Sequence, residues 1–160
     1  ISLHSIHIKE ANFEMFCFWT GEKQLGKVEG VLDVEAGFIN HKEVVKVKYD
    51  NSILSELELK KYAEKQNFKS IEKSENYRTA VSDVHYYLLH SDYRYLPLSE
   101  LQKTKINSAL GSKLPAEKYL SPQQLKWLLL LQKNAVKKIS LHNKKIGIAW
   151  DTMLLKSKRG

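Results

Sequence analysis

One cysteine, Cys17, stands in a chain of 160 residues. A single thiol excludes an internal disulfide and any zinc centre built from several cysteines, and it leaves an oxidised Cys17 without a resolving partner. A redox cycle at this residue needs an outside reductant. Long apolar runs are missing too: the longest, Trp127 to Leu131, is about a quarter of what a membrane-spanning helix requires. No membrane span is expected. The sequence has no arginine-rich arm, no zinc-finger spacing and no strand on which stacking aromatics alternate with basic residues, so a nucleic-acid role rests on charge alone. Neither internal repeats nor low-complexity tracts occur. The chain begins at Ile1 instead of methionine, which fits processing or trimming of an upstream segment, and both a cytoplasmic and an exported protein are compatible with that.

The 42% apolar and 10% aromatic content is that of a chain able to build one hydrophobic core. The net charge of +8 is unevenly spread. Residues 1–99 carry 13 Lys and Arg against 15 Asp and Glu, a balance of −2, while residues 100–160 carry 13 against 3, a balance of +10. The basic tail reads as a solvated helical face or as a docking surface for an acidic partner.

Strand and helix patterns alternate in the first half. Ile6 to Ile8 and Phe13 to Phe16 read as extended, and "TGEKQLGKVEG" places Leu25 and Val28 at helical spacing before a stop at Gly30. "VLDVEAGFI" alternates with period two, as does "EVVKVKYD" after the Asn40–His41 break, which predicts two adjacent strands. Ser55 followed by Glu58 is a capping box for a helix whose apolar face is Leu57, Leu59, Tyr62 and Ala63, and a strand fits Phe68 to Ile71. The order strand, helix, strand, strand, helix, strand predicts an α+β fold with a ferredoxin-like split βαβ sheet over residues 1–96. Residues 97–160 are expected to form a basic helical extension packed on the same domain. Its helices are "LSELQKTKINSALGS", capped by Ser99, and "SPQQLKWLLLLQKNAVKKISLHNKK", capped by Ser121 with Pro122 at the first helical position; "VSDVHYYLLHS" before them also reads as helical, and the closing "KSKRG" as frayed.

Cys17 falls where a strand runs into a helix. The unpaired N–H groups and positive dipole end of a helix stabilise a thiolate, which is how a cysteine becomes nucleophilic near neutral pH. Phe18 and Trp19 beside it are suited to an apolar pocket for a methyl or thioether group; a small core residue among aromatics is the plain alternative. Among the histidines, His4 and His7 lie three apart and His85 and His90 five apart, but no carboxylate or cysteine completes a ligand set, so no metal is expected.

"CFW" at the end of a first strand, "GKVEGVLDVEAGF", "HKEVVKVKYD" and "ILSELEL" resemble, in order and spacing over residues 13–63, the peptide methionine sulfoxide reductase A family. Further on, "YRTA" resembles that family's Gln-Tyr-Arg-Ser-Ala, and "DVHYYLLHSDYRY" its His-Gln-Gln-Tyr-Leu segment, which extends the similarity to about residue 95. The resemblance implies that Cys17 attacks the sulfoxide sulfur of methionine sulfoxide, free or in peptides. Glu43 would protonate the sulfoxide oxygen and Tyr77 would hydrogen-bond to it. Phe18 and Trp19 would hold the S-methyl group, with His41 beside the substrate. The sulfenic acid left on Cys17 would be recycled by a thioredoxin-like protein or a small thiol, with no bound cofactor.

The chain departs from the family pattern in several places. Phe16 stands where the family has glycine, with the expectation that it blocks approach to the sulfur. The loop that carries another tyrosine of the oxygen site is skipped between Phe38 and His41, and "EKQNFKSIEKSEN" replaces the run before Gln-Tyr-Arg-Ser. Two other classes therefore stand beside the enzyme: a non-catalytic binding module that keeps the fold and a thioether-sized pocket, and a thiol peroxidase or redox sensor without a sulfoxide pocket.

Overall fold

The computed structural model describes residues 7–159; His4, Ile6 and Gly160 lie outside them. It is an α+β protein with a five-stranded antiparallel sheet and, among the described residues, six α-helices. In chain order these are β1 Ile8–Glu14, α1 Phe18–Gly26, β2 Val31–Ile39, β3 Lys42–Asp50, α2 Glu56–Lys65, β4 Lys69–Ile71, β5 Tyr77–Thr79, α3 Tyr86–Leu89, α4 Glu100–Gly111, α5 Pro122–Gln132 and α6 Ile146–Arg159. The strands lie in the order β4-β1-β3-β2-β5.

The alternating sequence of β2 and β3 sorts their side chains by face. Val34 and Ala36 of β2 are paired with Val47 and Val45 of β3, and all four are buried against Leu25 of α1. The hairpin between the strands turns on Asn40 and His41, both with positive φ (49° and 72°), the conformation that matches the natural twist of two strands joined by a two-residue loop. Expectation and structure coincide for this hairpin and for the Ser55–Glu58 capping box of α2, in which both reciprocal bonds are made. On α2, however, Leu57 faces solvent while Leu59 and Ala63 enter the core.

Three helices end alike. After α2, α4 and α5 the chain turns at a left-handed residue, Asn67, Lys113 and Asn134, and the next amide bonds back to the fifth carbonyl before it, as in Phe68 N–H to Ala63 O, Leu114 N–H to Ala109 O and Ala135 N–H to Leu130 O. This motif stops α5 at Gln132, so the helix expected through Lys145 is shorter and residues 133–145 run without helix to α6. The segment read as frayed is instead helical through Arg159. "VSDVHYYLLHS" yields only the single turn of α3. His85 before it adopts φ 57°, and the amides of His85 and Tyr86 are taken by the carboxylate of Glu22.

Two hydrophobic clusters result. The first joins the sheet to α1 and α2 through Phe13, Val34, Val47, Leu25 and Leu59; the second starts at Leu88 and gathers Leu96, Ile106, Trp127, Leu131 and Met153. The helical half grips α1 at three heights. Glu22 accepts from the α3 end, Ser108 Oγ of α4 donates to Lys23 O (2.6 Å), and Lys105 Nζ donates to Gly26 O and Val28 O (2.9 and 2.8 Å) where α1 ends. No helix of the described residues is long and apolar enough to cross a membrane.

Candidate functional site

β1 ends at Glu14, and the chain bends at Phe16 before α1 begins at Phe18, which leaves Cys17 as the N-cap residue with extended backbone (φ −134°, ψ 116°). Its side chain makes no capping bond. The capping acceptor comes from elsewhere: the Phe18 N–H donates to Oε1 of Glu43 at 3.0 Å, across 25 residues of sequence. Register explains why that carboxylate is there. Glu43 pairs with Phe38, so it shares the face of β2 and β3 that α1 covers, and Met15 N–H donates to Glu43 O (3.2 Å), tying the β1 end to the same residue. Cys17 and Glu43 thus meet at one helix end, with the thiol partly exposed.

The surrounding aromatics divide the work. Phe18 is buried in the core, edge-on to Phe38 with ring centres 5.2 Å apart. Trp19 is half-buried; its indole stacks on Tyr86 at 3.7 Å, and its Nε1–H donates to Asp83 at 3.0 Å. Phe16, expected to shield the sulfur, is 99% exposed and points into solvent. His41 sits at the exposed tip of the hairpin.

The structure does not bring Tyr77 to Cys17. Tyr77 lies on β5, a strand the sequence pattern did not reveal, and pairs with Ile39, one residue beyond Phe38. One step along a strand reverses the face. Its ring therefore covers Gly37, where a Cβ would collide with it, and its hydroxyl donates to Oε2 of Glu35 at 2.5 Å, with Lys46 Nζ 4.5 Å from the ring centre. Burial, with the Glu35 bond next, pushes the phenol well above its usual range.

Two residues not singled out from the sequence do belong to the α1 side. Tyr87 packs against Gly111; burial first, then the charges of Cys17 and Glu22, push its phenol up, so it keeps its proton and remains a donor. Glu22 is 1% exposed, and burial pushes its carboxyl up to about 8 despite the two amides that favour the ionised form. Its sequence signal was spacing: it lies four residues after Phe18 and three before Leu25, on the apolar side of α1. Around it runs a polar seam in which His85 Nδ1 and His142 Nε2 are 3.1 Å apart and Lys103 donates to His142 O at 2.6 Å. No cluster of three or more His, Cys, Asp or Glu suited to a metal occurs among the described residues.

A scan against protein-family models found no match, and a search of the curated proteins found none either.

Proposed function

We propose that the protein is a peptide-methionine (S)-S-oxide reductase-like enzyme acting through Cys17 and Glu43. The observation that supports this reading is the 3.0 Å bond from Phe18 N–H to Glu43 Oε1, because it brings the carboxyl group of Glu43 to the start of α1, where Cys17 is the N-cap residue. The strand order β4-β1-β3-β2, built from a strand, helix, strand, strand, helix, strand sequence, supports the ferredoxin-like part of the reading.

In this account the Cys17 sulfur attacks the sulfoxide sulfur while the Glu43 carboxyl gives its proton to the oxygen. The S–O bond breaks as oxygen passes to the thiol, leaving methionine and a sulfenic acid on Cys17. Two equivalents of an external thiol then return Cys17 to its reduced state, with a disulfide and water as products. Tyr87, whose phenol keeps its proton, takes the hydrogen-bonding role that the resemblance gives to Tyr77. Trp19, held by Tyr86 and Asp83, offers a fixed aromatic edge to the S-methyl group.

The test is turnover of a methionine S-sulfoxide peptide with dithiothreitol as reductant. The parent protein is expected to turn over and Cys17→Ser to be inactive; equal rates in both would sink the proposal. A second reading, the binding module, draws on one observation, the Tyr77 hydroxyl committed to Glu35 on the other face of the sheet. It predicts peptide binding by the parent with no methionine formed.

A further inference from the structure

Away from Cys17, a cleft of about 550 Å³ opens between residues 81–95 and the segment 140–143. Its walls are joined by Leu141 N–H to Arg94 O (2.8 Å) and by the contact of His85 with His142. Polar groups predominate in its lining: Ser82, His90, Arg94, Ser140, His142 and Asn143. The volume is within the range of small-ligand sites, roughly 300–1,000 Å³.

Arg94 is held in place without being neutralised. Its Nη1 donates to Leu89 O (3.0 Å) and its Nε to Ser140 Oγ (3.4 Å), while no carboxylate of the described residues pairs with it. The nearby acids are engaged elsewhere: Asp92 with Lys138 at 3.4 Å, Asp83 with the Trp19 indole and Glu100 with Lys103. Three cationic or protonatable groups, His85, Lys103 and Arg94, act on His142 at the cleft wall. Burial, with the charges of His85, Lys103 and Arg94 adding to it, pushes His142 down to about 4, so this ring is neutral at pH 7. A neighbouring cleft shares His142 and Asn143 and is bordered by the exposed Lys144 and Lys145, which extend the attraction to the mouth.

A fixed guanidinium with unspent charge and hydroxyl, amide and imidazole groups around it is matched by an oxyanion. We infer that this cleft binds a small ligand through a carboxylate or phosphate group, with Arg94 as its anchor. The site is independent of the chemistry at Cys17, and its test does not pass through that activity.

The experiment follows backbone amide signals of the full chain by NMR during titration with sodium acetate and, separately, inorganic phosphate, at constant ionic strength. Saturating shifts confined to residues 81–95 and 140–143 are expected with at least one anion, and the anion that saturates identifies the group. Arg94→Gln is expected to weaken binding at least tenfold, and Arg94→Lys by less, since it keeps the charge but loses the fork. Should Arg94→Gln lose its native dispersion, Asn143→Asp, which adds a negative charge at the exposed rim, is expected to weaken binding severalfold. Shifts that never saturate, that scatter over the lysine-bearing helices, or that persist unchanged in Arg94→Lys and Asn143→Asp would overturn the inference.

Discussion

On the face of the sheet that α1 covers, a carboxylate from β3, Glu43, receives the first amide of α1 beside a thiol; on the opposite face a carboxylate from β2, Glu35, receives a tyrosine hydroxyl beside a lysine. Both carboxylates sit on adjacent strands and both are half-buried. Their partners separate them. Glu35 is matched by Tyr77, Thr79 and Lys46, each fixed by register across the sheet and all three meeting its Oε2. Glu43 is matched by a backbone amide at a helix end and is left with capacity toward whatever approaches Cys17. Chemistry is expected at the carboxylate beside the thiol, and structure at the one tied to side chains of the sheet.

The largest effect that would sharpen this contrast is on Glu43. Glu43→Gln keeps an acceptor for the Phe18 amide but has no acid proton, and activity is expected to fall by roughly 10²-fold or more with little loss of stability, read from kcat/KM and a thermal melt. A parallel collapse of both would make Glu43 a helix cap and nothing else.

Next in size is Glu22, which shares α1 with Cys17 but faces the helical half. With its carboxyl near 8 in the folded protein and at an ordinary 4.5 when unfolded, the unfolded chain gives up this proton first as pH rises. Stability therefore falls between about 4.5 and 8, by up to about 5 kcal/mol in all. His142 acts in the opposite sense, since its folded value near 4 lies below 6.5 and stability is lost as pH falls between the two. The two oppose each other below pH 6.5, so the decline stands alone from 6.5 to 8. Urea unfolding across that range is expected to show it in the parent and to be flat in Glu22→Gln; a decline of equal size in the variant would remove Glu22 as its source.

Smaller still is Tyr87→Phe, which deletes one neutral donor and is expected to slow turnover roughly tenfold, the worth of a hydrogen bond made in the transition state. The smallest effect is on the far face. Tyr77→Phe is expected to change activity by less than about twofold while costing about 1 kcal/mol of stability, measured by denaturant unfolding. If Tyr77→Phe slowed turnover more than Tyr87→Phe, the division between the two faces would fail.

The far-face position of Tyr77 shows what the sequence made legible. Alternation in "VLDVEAGFI" and "EVVKVKYD" is strong enough to give the hairpin and its faces, and Ser55, Ser99 and Ser121 mark their helix starts because each cap bonds to an amide three residues on. Cys17 at a strand-to-helix junction was readable for the same reason. β5 is only three residues long and has no alternation to read, so the side of the sheet that Tyr77 faces depends on a register no local pattern records. The buried seam was hidden differently. Glu22, His85 and His142 are distant in sequence and are polar residues in ordinary-looking segments; only tertiary packing makes them partners. The end of α5 had a readable sign in Asn134, a residue that tolerates the left-handed turn, but the leucine run before it extends a helical pattern across the stop.

The most direct test of the central claim is a single turnover without reductant: the purified parent protein mixed with excess methionine S-sulfoxide peptide, methionine peptide quantified, and Cys17 probed with a sulfenic-acid trap. One equivalent of methionine peptide per protein and a trapped adduct on Cys17 are predicted, both absent in Cys17→Ser. A folded parent protein that yields no methionine and leaves Cys17 as a free thiol would contradict the account.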